Sequence, residues 1–163
     1  LEAAVKAGVT VSLGCDGPGG NNRVDVFSEM RAAELLARAR LGRMGVLAPL
    51  APDDPCLPFT LGTRNGARNL GIEAGQIEPG AAADMVALDP DDLSLAPHRG
   101  LETRSLVRNL VYAADARSAI REVLVGGEVI VREGALARID AGEIRDRVRR
   151  WERKGGPQAM RDR

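Results

Sequence analysis

The residue best placed to do chemistry is Asp16, in the stretch "VTVSLGCDGPGGNN" that runs from Val9 to Asn22. An apolar run ends on one carboxylate and passes at once into Gly17, Pro18, Gly19, Gly20, Asn21 and Asn22. Three chemistries fit such a sequence. A glycine-rich turn between strand and helix can offer backbone N–H groups to a phosphate. An Asp-Gly step can be a plain turn in which the aspartate bonds its own backbone. A carboxylate at the C-terminal end of a strand, ahead of a helix, stands where α/β barrels set catalytic and metal-holding groups. The phosphate reading is the weakest, because "GCDGPGG" lacks the lysine and hydroxyl of a P-loop, its glycines miss the dinucleotide spacing, and Asp16 would repel the anion.

Other residues carry weaker signals. Asn21 and Asn22 can position a substrate or order the loop around Asp16, or cap the next helix. Cys15 neighbours Asp16, but on an alternating strand the two side chains point apart. Glu29 and Glu34 read as solvated charge on an amphipathic helix. Arg64, Asn65 and Arg68 read as packing support. His98, the only histidine in the sequence, sits in "LAPHRG" and reads as a loop histidine rather than a ligand. A single carboxylate does not supply the three protein ligands of a catalytic zinc site.

The elements that must hold these residues follow from periodicity. "LEAAVKAGV" reads as the end of a helix stopped by Gly8, and "VTVSLG" as a strand. Apolar residues from Val26 to Leu36 recur at helical spacing, which predicts a helix over 25–40 with Asn22 or Asp25 as cap. The Pro- and Gly-rich residues 41–58 predict a loop. Phe59 to Leu70 suits one helix weakened by Gly62 and Gly66, each expected where another backbone packs close, and ending at Gly71. Beyond Gly71 the pattern turns to strands: "ADMVALD", then "AIREVLVGGEVIVREG" as a hairpin about Gly126-Gly127. "SLVRNLVYAA" suits strand or helix. The final helix carries Ile144, Val148 and Trp151 on one face, with Asp140 and Glu143 resembling a capping box.

Composition narrows the class. With 23 basic and 23 acidic residues the formal charge is zero, which gives no long-range pull toward nucleic acid or an anionic membrane. Hydrophobic residues make up 44% of the chain, mainly Ala, Val and Leu, as in a globular α/β protein. Two cysteines are too few for a disulfide framework or a Cys-type zinc site. No apolar run approaches the roughly 20 residues of a membrane span, so a cytoplasmic location is expected.

Taken together, "GVTVSLGCDGPGGNNRVDVFSEMRAAELL", "TLGTRNGARNLGI", "GQIEPGAAADMVALD" and "LVRNLVYAADARSAIREVLVGGEVIVREGAL", in this order, resemble the amidohydrolase superfamily. The likeness is to its deaminase and chlorohydrolase branch, which includes enzymes of the cytosine deaminase and S-adenosylhomocysteine/methylthioadenosine deaminase type. Those enzymes carry a strand ending in Gly-Thr-Asp-Gly, often followed by Ser-Asn-Asn; here Cys15 replaces the Thr and Gly20 the Ser. The resemblance implies the C-terminal portion of a (β/α)8 metal-dependent hydrolase barrel with part of a small β-sandwich. It places a partial barrel at 1–71, the sandwich portion at 72–139, and a helix and tail at 140–163. It implies that Asp16 binds one divalent metal, zinc with iron as the alternative, and takes a proton from bound water, the other ligands being histidines from earlier strands.

The implied reaction is hydrolytic deamination, or dechlorination, of an aminated heterocycle such as a purine nucleoside, pyrimidine or triazine. The full-length enzyme is expected to be a homo-oligomer acting on a small molecule, with no nucleic acid or membrane partner. A complete barrel needs about 250 residues, so the chain alone is expected to be inactive and to expose apolar surface. The competing expectation is a non-catalytic module that binds a protein partner through its hairpin-rich half.

Overall fold

The computed structural model describes residues 1–21, 23–42, 56–98 and 100–156. Asn22, most of the expected loop at 41–58 and the tail from 157 onward lie outside these residues. The chain opens with α1 (Glu2–Lys6) and continues to the long α2 (Val26–Leu41). Next come α3 (Leu57–Gly62) and α4 (Arg64–Leu70). Strand β1 (Met85–Leu88) leads to α5 (Thr103–Tyr112) and the short α6 (Ala116–Ala119). Strands β2 (Ile120–Val125), β3 (Glu128–Arg132) and β4 (Ala135–Leu136) precede the closing helix α7 (Ala141–Arg153).

The apolar stripe of α2 explains its place at the centre of the helical part, where it packs on α3 and α5. Met30 is 3% exposed and Leu61 is fully buried, and Leu57 and Leu61 gather Val5, Val11, Leu13 and Ala37 around them. Burying a leucine of this kind is worth about 1.5–3 kcal/mol relative to leaving it in water. Asp25 caps α2, its Oδ1 accepting from the Phe27 N–H at 3.1 Å and its Oδ2 from the Ser28 hydroxyl at 2.6 Å.

Two expectations about this half need correction. The strand expected at residues 9–14 has no ladder partner among the described residues. Their backbone is met by α3 and α4 instead. The Leu13 N–H donates to Leu61 O at 3.0 Å, Asn65 Nδ2 donates to Val11 O at 2.9 Å, and Asn69 Nδ2 donates to Thr10 O at 3.2 Å. Asn65 thus supports packing as expected, by satisfying a carbonyl. The single helix expected over 59–70 is two, broken at Thr63, whose φ of −126° and ψ of −94° lie outside the helical region. Gly62 is small because α2 side chains crowd it, not another backbone: a Cβ there would collide with Met30 Cε and meet Val26 Cγ1. Nothing within 4 Å of Gly66 explains that glycine.

The second half forms one antiparallel sheet in the order β1-β2-β3-β4. Gly126 and Gly127, at φ of 57° and 82°, make the two-residue hairpin turn, since both positions need positive φ. That turn is tied to the approach of β1: Gly126 N–H donates to Asp84 Oδ1 at 2.6 Å and Gly127 N–H to Ala83 O at 3.0 Å. The undecided stretch "SLVRNLVYAA" is α5, whose Val111 is buried. Apolar side chains stay open at several points, among them Leu36 of α2 at 70%, Leu70 of α4 at 76% and Ile77, between α4 and β1, at 87% exposure.

A buried polar cluster joins α5 to α2. Glu34, read from sequence as a solvated charge, is only 4% exposed. It is tolerated there because Arg38 Nε bonds its Oε1 at 2.8 Å, one helical turn away. Arg38 also donates through Nη2 to the Tyr112 hydroxyl and lies 4.9 Å from the centroid of its ring. Burial, reinforced by a hydrogen bond and charge from Glu34, pushes the Tyr112 phenol up to about 12.

Two measurements test this packing. Leu61→Ala should cost about 2–5 kcal/mol in chemical denaturation, whereas Leu93→Ala, at a side chain 90% exposed, should stay within about 0.5 kcal/mol. Tyr112 is the only tyrosine in the sequence, so tyrosinate absorbance reports on it alone. Because the folded state holds the phenol proton more tightly than the unfolded chain, its stabilisation is complete below pH ~10 and fades as pH rises through about 12. Ionisation of the folded chain near pH ~10 would show that the cluster does not form.

Candidate metal-ligating loop

Asp16 ends the segment that α3 and α4 hold in place, and its backbone turns sharply there. Its φ of 56° is left-handed, a region that aspartate enters more readily than most residues because its short side chain can bond locally. It does so here: the Gly17 N–H donates to Asp16 Oδ1 at 2.7 Å. The Gly20 and Asn21 N–H groups both donate to Gly17 O, at 3.0 and 2.9 Å. The turn reading of Asp16 is therefore met in part. The loop N–H groups of Gly17, Gly20 and Asn21 are spent on the loop itself, which leaves the phosphate cradle without those donors.

The carboxylate is exposed, and its second oxygen lies over Gly20, where a Cβ would collide with Oδ2. No hydrogen-bond donor reaches Oδ2 among the described residues. Oδ1, fixed by one backbone N–H, keeps a further lone pair and Oδ2 is open, so the carboxylate suits a single ligand position on zinc and retains a second oxygen for a proton. In that sense the donor chemistry fits one metal ligand. No group of three His, Cys, Asp or Glu side chains able to hold a metal occurs among the described residues. His98 is half-buried, in the segment that follows the turn at Leu93–Leu95 along the chain, and its carbonyl accepts from the Leu101 N–H at 3.4 Å. Cys15 is half-buried with a free thiol.

Of the two asparagines, Asn22 lies outside the described residues. Asn21 does not cap α2, since Asp25 does. Its Oδ1 accepts from the Arg23 N–H at 3.1 Å, and its Nδ2 donates to Glu29 Oε1 at 2.7 Å. Glu29 is therefore a half-buried hydrogen-bond acceptor on α2, not the solvated charge expected from its helical position. Sequence reasoning missed this pair because the partners sit in a loop and a helix, and helical spacing relates only residues within one helix. No helix among the described residues is long and apolar enough to cross a membrane.

Comparison with known proteins gives this loop its context. The chain is 40% identical over 150 residues to the 5-methylthioadenosine/S-adenosylhomocysteine deaminase of Natronomonas pharaonis, a match covering 92% of this chain and 32% of that protein. It is 37% identical over 136 residues to the 5'-deoxyadenosine deaminase of Methanothermobacter thermautotrophicus, covering 81% of this chain and 28% of that one. Among solved structures, the zinc-bound adenosine deaminase of Xanthomonas campestris superposes with a TM-score of 0.77 at 29% identity, over 94% of this chain and 33% of that one. The chain thus spans about a third of the length of the relatives it matches. The model of the amidohydrolase family matches residues 1–130, most of the sequence and the whole of the Asp16 loop with it, and the chain belongs to that family.

Proposed function

We propose that this chain is the C-terminal part of a metal-dependent amidohydrolase that hydrolytically deaminates an adenosine-like nucleoside. The observation that carries the reading is 40% identity across 92% of the chain to a 5-methylthioadenosine/S-adenosylhomocysteine deaminase. The likeness to a 5'-deoxyadenosine deaminase and to a zinc-bound adenosine deaminase points to the same purine amine. Residues 1–71 then correspond to the end of the barrel, 72–139 to the sandwich portion, and 140–163 to the closing helix and tail. The remaining metal ligands and most of the substrate pocket belong to parts of the enzyme outside this chain, which alone is inactive.

Zinc, with iron as the alternative, would be held on this chain by Asp16. When bound, such an ion supplies Lewis acidity and lowers the pKa of its water toward ~7. Asp16 Oδ1 is oriented by the Gly17 N–H. Oδ2, free of donors among the described residues, can take a proton from water and return it to the departing amine, as a positioned general base and then acid. The water oxygen adds to the ring carbon that bears the amine, the carbon–nitrogen bond breaks, and ammonia leaves with the returned proton, so that a carbonyl replaces the amine. Asn21 orders the loop, because its amide is already engaged by Arg23 and Glu29. Asn22 keeps the loop- or substrate-positioning role expected from its place in the motif.

The test is Asp16→Ala in the protein as its gene encodes it. Turnover of 5-methylthioadenosine and S-adenosylhomocysteine, followed by ammonia release, should fall by about 10²–10⁴-fold. Zinc content should fall with it. Compared with zinc-free wild type, the melting temperature should fall only modestly, since the side chain is away from the core and the loss is that of the Gly17 bond and of alanine at a left-handed φ. Wild-type zinc content together with wild-type turnover in the variant would overturn the proposal.

A further inference from the structure

We infer that Glu29 is the positioning residue of the Asp16 loop: from the first turns of α2, its carboxylate holds Asn21 and thereby sets where the Asp16 side chain stands. The catalytic consequence rests on the function proposed above. The tether itself rests on hydrogen-bond geometry.

The loop needs an outside anchor. Between Asp16 and Asn21 it contains Gly17, Gly19 and Gly20, residues that restrict the backbone least. Its internal bonds, from the Gly20 and Asn21 N–H groups to Gly17 O, close a turn but do not fix that turn against the rest of the protein. Among the described residues, the side-chain bond that joins 16–21 to a helix is Asn21 Nδ2 to Glu29 Oε1, at 2.7 Å.

The chemistry of the pair is one-way. Asn21 Oδ1 accepts from the Arg23 N–H, so its Nδ2 must find an acceptor. A carboxylate supplies it through a charge-assisted bond. Glu29 is also suitably rigid. Its own N–H donates to Asp25 O at 3.2 Å, so it belongs to the helical ladder one turn inside the Asp25 cap. Helical side chains lean toward the helix N-terminus, which aims Glu29 back at the loop. The chain of contacts therefore runs from α2 through Glu29 and Asn21 into the same short turn that holds Asp16.

The experiment compares Glu29→Ala, Glu29→Gln, Asn21→Asp and the double variant Asn21→Asp/Glu29→Gln in the protein as its gene encodes it. Three properties are read: amide hydrogen exchange at Gly20 and Asn21, zinc affinity by chelator competition, and kcat against KM. Glu29→Ala should lose exchange protection at both amides and weaken zinc about 10–100-fold. Its kcat should fall by up to about 10²-fold with KM changed less, as for a misplaced reacting group. Glu29→Gln should stay near wild type, because its amide oxygen still accepts from Asn21. Asn21→Asp should fail by setting two carboxylates face to face, and the double variant should recover because donor and acceptor are exchanged.

Unchanged exchange and zinc affinity in Glu29→Ala overturn the inference. So does a parallel loss in Glu29→Ala and Glu29→Gln that follows melting temperature, since that marks a helix-stability effect. If Asp16→Ala keeps full zinc and turnover while Glu29→Ala still exposes the two amides, the function proposed above fails and the tether stands.

Discussion

Everything near Asp16 depends on how residues 9–16 are held, and within this chain α3 and α4 hold them. Leu61, fully buried, belongs to the cluster that Val11 and Leu13 pack against, and its carbonyl takes the Leu13 N–H. Asn65 and Asn69 take up the carbonyls of Val11 and Thr10. An unpaired buried backbone group costs about as much as a lost hydrogen bond. These side-chain amides satisfy two carbonyls of the half-buried segment. The apolar contact and the polar satisfaction act together, and the carboxylate emerges at their end.

α2 links this arrangement to the rest of the chain. Asp25 caps it, Glu29 reaches the loop through Asn21, Met30 fills the space left by Gly62, and Glu34 with Arg38 receives Tyr112 of α5. Two of its glutamates that periodicity assigns to solvent are thus drawn into contacts by neighbours remote in sequence. A nearly buried carboxylate such as Glu34 is stable only if paired, and removing one partner of a buried pair typically costs about 3–5 kcal/mol. The raised Tyr112 phenol is the electrostatic counterpart of the same burial.

Much of the scaffold was legible beforehand, for local reasons. The Gly126-Gly127 hairpin, the Asp25 cap and the helix exit at Gly71 each follow from short-range rules about positive φ and orphan N–H groups. The family likeness was legible too, since several linked motifs recur in order, and the amidohydrolase match over residues 1–130 bears it out. The misreadings fall where long-range partners decide. The strand expected at 9–14 finds no ladder partner among the described residues and leans on helices, and the helix expected over 59–70 breaks at Thr63; α5 resolves a stretch that its short apolar pattern left open between strand and helix.

By itself, then, the order of residues determined that one carboxylate stands at the head of a glycine-rich loop, that a capped amphipathic helix follows it, and that a Gly-Gly hairpin closes the later half. These depend on neighbours a few positions apart along the chain. Only the tertiary structure decided that Asn21 bonds Glu29, that Glu34 is buried beside Arg38 and Tyr112, and that the segment before Asp16 leans on Leu61, Asn65 and Asn69. Hydrogen-bond satisfaction and burial are set by whichever groups meet in space, and linear spacing carries no record of those meetings.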